Sequence, residues 1–423
     1  MLISIKRLLF LTGILSILFS CSNQGHKVKE LNSNVIDVER ALQNPTRLKT
    51  SDLGKTVRYI PLETTDDCLI GDNPIVKVLK DYIIVEYTGR SSSADHCLLF
   101  SKEDGRFIAE IGHAGQDPEA FTSSYSWIDE KEEFIYFKRL PNQLMKYDFE
   151  GNFCGKTVFS SSVSGYCYSI TDSEIIGYFG GIHPSEQYAL GFFDKDGSLK
   201  DTIPLLFPKI SEDVNVVSAS ALSRAISYKL YGNWARVGLI RLNYSNDLQA
   251  RIVSNVARLW NHNGNIRFKE DYVDTIYTIS HNKLIPSITF HIGKDRLPIE
   301  ERARQSNEEK IFIADVSENN DFIFFQPVKI VRDGSNGLYN GLFDKKTGET
   351  KLGEHSDGIE DDLTNFMPFN PLGMSTVGEF VSIVDAYEVM EWLEKHPEEQ
   401  NNKKLSFLKE LNEDMNPIVI LIE

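Results

Sequence analysis

An all-β fold, a β-propeller of four-stranded antiparallel blades, follows from three features of this 423-residue sequence. The first is residues 98–121, LLFSKEDGRFIAEIGHAGQDPEAF, which reads as an apolar strand, a turn at Gly105 and a second alternating strand. Alternation on either side of an Asp-Gly turn marks a β-hairpin, because glycine takes the positive φ that tight turns demand. The second is recurrence: similar cassettes surround Gly151, Gly197 and Gly348, and Gly105, Gly151 and Gly197 stand 46 residues apart. A period of that length, built from strands alone, is the length of a propeller blade. The third is a lone apolar run near the end, 417–422, available to pair with 57–62 near the start. A ring must close, and pairing strands from the two termini removes two exposed edges.

Taken in order, 57–62 is a strand stopped by Pro61 and the turn-rich 63–67. Residues 75–79 and 82–87, parted by Lys80-Asp81, run into the hairpin and complete a first blade. Residues 127–138 with 143–158 make a second, and 166–178 with 189–203 a third. After Pro208 the rhythm fails, and the mixed periodicity of 211–246 predicts an irregular or partly helical insertion. Three alternating runs in 265–295 form a fourth blade. The Glu- and Arg-rich 296–310, behind Pro298, predicts a short solvated helix. Residues 311–316, 322–331 and 341–352 form a fifth blade. The tail adds 378–384, a helix over 386–395 with Val389, Trp392 and Leu393 at helical spacing, and a second helical segment ending near Leu411. With the closing strand the count is six. The expectation for 56–423 is therefore a six-bladed β-propeller with short helical insertions.

Lys6 and Arg7 precede an apolar run over 8–19, interrupted by Thr12, Gly13 and Ser16 and followed by Ser20-Cys21. A positive start, a short apolar stretch and small residues at the cut describe a secretory signal, too short for a spanning helix. Leu18-Phe19-Ser20-Cys21 resembles a bacterial lipobox, which implies a signal peptide over 1–21 and lipid on Cys21. Several acyl chains on one residue would anchor the protein durably in a membrane. Residues 22–55 are then expected to be a polar tether. Ser22 and the absence of an acidic cluster after it imply, by resemblance to lipoprotein sorting rules, the outer membrane.

A formal net charge of −16, without a basic stripe, excludes a nucleic-acid partner. Cys68, Cys97, Cys154 and Cys167 remain after Cys21; they are either single thiols or form one or two disulfides, Cys154 and Cys167 being the closest in sequence. No CxxC or HxxxH pair occurs, so neither a structural metal nor a cofactor is expected. Gly112-His113-Ala114-Gly115 lacks the Lys-Ser/Thr of a phosphate loop and reads as an inter-blade connection. The acid pairs Asp66-Asp67, Glu132-Glu133 and Asp361-Asp362 lie in turns and read as solvated carboxylates. No GxSxG elbow is present.

Four motifs carry a resemblance: Ile60-Pro61-Leu62-Glu63-Thr64; Ile111-Gly112 with Gly115-Gln116-Asp117-Pro118; Asp274-Thr275-Ile276-Tyr277; and Asn416-Pro417-Ile418-Val419. Together they resemble the six-bladed β-propeller lipoprotein family, related to NHL-repeat propellers. Asp117, Glu119, Ala120 and Phe121 depart from the Gln-Gly-Pro-Gly-Glu-Tyr pattern usual in that family's loop. The resemblance implies a fold and an envelope location; it implies no particular activity.

For function, the architecture points to a non-catalytic propeller that binds a ligand, a glycan or peptide, or contacts another envelope protein. Blade loops on a rigid ring bring residues from several repeats to one funnel. The long insertion carries Tyr228, Tyr231, Trp234 and Arg236, and Tyr231, Trp234 and Arg236 are its candidate ligand-binding residues, suited to stacking and to carboxylate or hydroxyl contacts. Tyr125, Trp127, Tyr178 and Trp260 are further aromatics near loops, although aromatics also fill the space between blades. The alternative is a metal-dependent lyase or hydrolase with its site in the central channel, as in related propellers. It would need several His, with His113, His183 and His262 near loop tips.

Overall fold

Short alternating runs closed by Gly and Asn turns become, in the computed structural model, six four-stranded antiparallel blades in a ring. The structure describes residues 34–88, 95–181, 186–207, 216–221, 239–245, 251–254, 257–304, 309–330, 336–356 and 358–423. From the innermost strand outward, the first blade is Ile75–Val78, Tyr82–Thr88, Asp95–Ser101 and Phe107–Glu110. The second is Ser123–Asp129, Phe134–Arg139, Gln143–Asp148 and Phe153–Val158. The third is Cys167–Ile170, Ile175–Tyr178, Tyr188–Phe193 and Leu199–Pro204. The fourth is Ala257–His262, Asn265–Glu270, Thr275–Ser280 and Lys283–His291. The fifth is Ile311–Glu318, Phe322–Ile330, Asn336–Asp344 and Thr350–Glu354.

The sixth blade draws on both ends of the chain. Gly373–Met374, Phe380–Val384 and Ile418–Ile422 pair in turn, and Val57–Pro61 adds the outer strand, in register from Val57 against Ile422 to Pro61 against Ile418. The closure expected from the sequence is the one found. Asn416 secures it, its side-chain amide donating to the carbonyls of Glu63 (2.6 Å) and Cys68 (2.8 Å) while its oxygen accepts from Ile70 N (2.9 Å). A helix over Ala386–Lys395, then two 3-10 segments over Pro397–Asn401 and Lys403–Lys409, link the second and third strands of this blade.

Successive side chains of a strand point to opposite faces, and here both faces are buried against neighbouring blades. Ile83 and Val85 pack on Ile60, Val381 and Val419 of the sixth blade, while Ile84 between them packs on Ile135, Phe137 and Met145 of the second. The same interleaving carries the core around the ring in six inter-blade layers, ending with Ile418, Ile420 and Ile422 on Phe324 and Leu342 of the fifth blade. Double burial explains the near-continuous apolar runs of middle strands such as IVILI, where a one-sided sheet would alternate.

The evenly spaced glycines fasten one blade to the next. Gly105 sits at φ +76, where a Cβ would land on the carbonyl oxygen of Pro61 in the preceding blade; its own carbonyl accepts from Glu63 N at 2.9 Å. Gly151 holds the same seat against Glu110 and Gly197 against Val158.

Five expectations need correction. Residues 34–55 are built into the fold, contrary to a tether over 22–55. Val35–Asp37 adds a parallel fifth strand to the outer edge of the fourth blade, Val38–Gln43 and Thr50–Leu53 are helical, and Ile36, Val38, Leu48 and Leu53 are buried. Alternating polar residues on the outward side hide this apolar anchor. The pair Asp361-Asp362 is the receiving end of the same segment: Asp361 accepts from Thr50 Oγ1 (2.9 Å) and Asp362 from Ser51 Oγ (2.7 Å), so these carboxylates are structural ties.

The insertion is not irregular or helical where it is described. Val216–Ala221, Leu239–Tyr244 and Arg251–Ser254 form a three-stranded antiparallel sheet. Ser and Ala in VVSASA blur the period that would have revealed the strand. Nor is 296–310 a solvated helix: its described residues include a 3-10 turn, Ile299–Glu301, and Leu297, Arg302 and Ala303 are buried, with Tyr244 Oη donating to the Ala303 carbonyl at 2.6 Å. Finally, the fourth blade gains an inner strand, Ala257–His262, whose Arg and Asn interrupt the apolar pattern. Cys68, Cys97, Cys154 and Cys167 are all free thiols.

Candidate functional site

The innermost strands of all six blades surround one cavity of about 1240 Å³, and the turns that follow those strands form its rim. A propeller converges its blades on this axis, so side chains far apart in sequence meet there.

Polar groups on the wall are held by partners inside the protein. Lys77 Nζ lies 2.6 Å from Glu86 Oε1, donates to the Ser126 carbonyl at 2.6 Å, and sits 4.0 Å from the centre of the Tyr125 ring. Glu86 is wholly buried in the middle of an apolar strand, and Ser126 N also donates to it at 2.9 Å. Arg258 Nε lies 3.0 Å from Asp315 Oδ1 across the fourth and fifth blades. Burial pushes the Asp315 carboxyl above its ordinary value, and the Arg258 guanidinium opposes the shift.

Glu318 is the largest node. It receives Lys345 Nζ at 2.8 Å, Arg267 Nε at 3.2 Å and the Trp260 indole N–H at 3.4 Å, and His262 Nε2 stands 3.6 Å away. Burial holds His262 below the usual imidazole value, with Glu318 pulling the other way. Arg258, Trp260 and His262 therefore form one stripe along the fourth blade's inner strand, bonded across to Asp315 and Glu318 of the fifth. At the rim, Lys131 pairs with Asp172 (2.5 Å) and Lys195 with Asp129 (3.7 Å).

Away from the rim, at the far end of the fourth blade's second strand, lies a buried charged cluster. Lys269 Nζ donates to the carbonyls of Glu270 (2.7 Å), Ile313 (2.9 Å) and Asp271 (3.2 Å). Loss of water pushes the Glu270 carboxyl up to about 8, with Arg302 opposing, while burial lowers the Lys269 ammonium. Arg302 lies 4.5 Å from the centre of the Phe207 ring.

The DUF4934 family, a domain of unknown function, matches residues 33–423. The chain belongs to that family. Similar solved structures include a "Putative exported protein" of Bacteroides fragilis, 15% identical with a TM-score of 0.62, covering 89% of this chain and 97% of that one. A member of the DUF4221 family from Bacteroides vulgatus is 10% identical with a TM-score of 0.45, covering 87% and 96%. At these identities the first likeness speaks to the fold alone. A search of curated proteins gives no match.

On the DUF4934 ring, the residues singled out from sequence separate. Tyr125 and Trp260 are half-buried on the channel, and Trp127, which also borders it, is buried between Tyr125 and Tyr168. Tyr178 is core, packed on Phe268. His262 lines the channel, whereas His113 pairs with Asp117 at 2.6 Å in an inter-blade loop. Cys21, His183, Tyr228, Tyr231, Trp234 and Arg236 lie outside the described residues. Among the described residues no three of His, Cys, Asp and Glu come together to hold a metal, and no helix is long and apolar enough to cross a membrane. Sequence reasoning missed Lys77, Arg258, Asp315 and Glu318. Their signal was a charge inside an otherwise strand-like run, as in ARLWNH and IFIADVSE.

Proposed function

We propose that this chain is an exported, lipid-anchored propeller that binds a ligand, a glycan or a peptide, in its central channel without converting it chemically. The observation that carries the reading is the cavity of about 1240 Å³ reached by all six blades, above the 300–1,000 Å³ typical of sites for drug-sized ligands. Its charged side chains are engaged with one another, an arrangement suited to recognition on a rigid wall more than to a free nucleophile or base. Export is supported by the apolar leader and by the name of the Bacteroides fragilis relative in fold. Anchoring is supported by the lipobox-like Leu18-Phe19-Ser20-Cys21 and by likeness to propeller lipoproteins, with the outer membrane as the expected location.

Two experiments test the reading. Ser317 borders the channel, and Ser317→Trp should narrow it. Calorimetric titration of glycan and peptide collections should show binding to the parent and clearly weakened binding to a folded Ser317→Trp protein; unchanged affinity would move the site elsewhere. Cys21→Ala should release the protein from the membrane fraction, and an unlipidated variant that stays bound would remove the anchor.

A further inference from the structure

We infer that the ligand of the channel is an uncharged oligosaccharide. The inference rests on the channel being a binding site, and the charges on its wall decide the class. Lys77 is matched by Glu86, Arg258 by Asp315, and Glu318 by Lys345 and Arg267. A charged ligand entering there would lose its hydration and meet charges already balanced, and separating a buried pair leaves an uncompensated charge. Of the polar atoms of those pairs, Arg258 Nε and Nη2 and Glu86 Oε2 are without a hydrogen-bond partner among the described residues. The exposed rim repeats the pattern, with Lys80 4.0 Å from Asp81 and Lys131 2.5 Å from Asp172.

What the wall still offers is neutral. Trp260 and Tyr125 are half-buried aromatic rings bordering the cavity, and flat rings cover the apolar faces of pyranose units. Beside Trp260 the rim carries carboxamides, Asn261 and Asn263 on the fourth blade and Asn320 on the fifth, with Asn263 Nδ2 donating to Asn320 Oδ1 at 2.9 Å. Carboxamides both donate and accept, which matches hydroxyl groups that do the same. Rings inside and amides at the rim, with the inner-wall charges balanced in pairs, suit a chain of sugar units running along the axis.

The test uses the full mature protein and four defined probes: maltohexaose, cellohexaose, mannohexaose and hexagalacturonate, with a neutral hexapeptide as comparison. Binding is read by tryptophan fluorescence and calorimetry at low and high salt. At least one neutral hexasaccharide should bind with a Kd that moves less than about twofold with salt, since no charge is exchanged. Trp260→Ala should weaken it by about tenfold or more, equivalent to about 1.4 kcal/mol. Trp260→Phe, which keeps a ring and guards against a folding defect, should retain most of the binding. Binding of hexagalacturonate or the peptide without a response to neutral sugars overturns the inference and leaves the channel reading standing. Sugar binding of unchanged affinity in Ser317→Trp overturns the channel reading itself. A folded parent that binds none of the neutral sugars overturns the inference.

Discussion

Gly105 and Gly264 both hold φ +76, and they differ in what surrounds them: a Cβ on Gly264 would meet nothing within 4 Å, whereas one on Gly105 would land on the Pro61 carbonyl. Replacing each by alanine separates backbone strain from inter-blade contact. Both variants accept a left-handed L-residue, about 1–2 kcal/mol. Gly105→Ala must in addition push the sixth blade away or distort the turn, about 1–3 kcal/mol as for other overpacked sites. It also strains the Glu63 N–H bond to the Gly105 carbonyl, which is worth about 1 kcal/mol. The expected losses are therefore about 1–2 kcal/mol for Gly264→Ala and about 3–6 kcal/mol for Gly105→Ala. Urea titration followed by tryptophan fluorescence should place the Gly105→Ala midpoint well below that of Gly264→Ala at an unchanged slope. Equal midpoints would refute the argument that the 46-residue glycine period exists to seat each hairpin on the preceding blade.

Removing residues 418–423 takes away five buried apolar side chains, about 8–15 kcal/mol at about 1.5–3 kcal/mol each, against a net stability of about 5–15 kcal/mol. The truncated chain should aggregate or elute as an expanded species on size exclusion, and a cooperative melt at the parent temperature would contradict the closure. Glu318→Ala strands Lys345 and Arg267 and should cost about 3–5 kcal/mol by chemical denaturation, with Glu318→Gln milder. Glu270 titrates near 8 in the fold against an ordinary 4.5, so the folded state binds more protons than the unfolded one between these values. Its contribution to stability is thus present in full below about pH 4.5 and lost as pH rises through about 8. Glu270→Gln should flatten that part of the stability–pH curve, and an unaltered slope would argue against the shift.

Blade boundaries were legible because a hairpin announces itself locally: Gly105, Gly151 and Gly197 carry the turn and the spacing at once. Ring closure was legible because 417–422 had no other partner in a fold without spare edges. The channel was harder to read. Lys77, Arg258 and Glu318 make sense only against residues of neighbouring strands or blades, and their own strands read as apolar runs with a blemish. The N-terminal segment was hidden for a related reason: Ile36, Val38 and Leu53 bury against blades four to six, which lie hundreds of residues away, and nothing local marks them as core.

The sixth blade has a consequence for how the chain must fold. Val57–Pro61 is made first and Ile418–Ile422 last, so a segment of roughly 360 residues separates two halves of one sheet. A chain that emerges from its amino-terminal end therefore presents the early strand well before its neighbour. During that interval five blades can form side by side as an open arc, but the arc ends on two raw edges and cannot become a ring. Because loop closure grows costlier only with the logarithm of length, the distance itself is a minor obstacle. Timing is the major one: the ring is topologically incomplete until Ile418–Ile422 emerges. A chaperone that shields unpaired strands would therefore be needed longest at the amino-terminal end, where the partner arrives last.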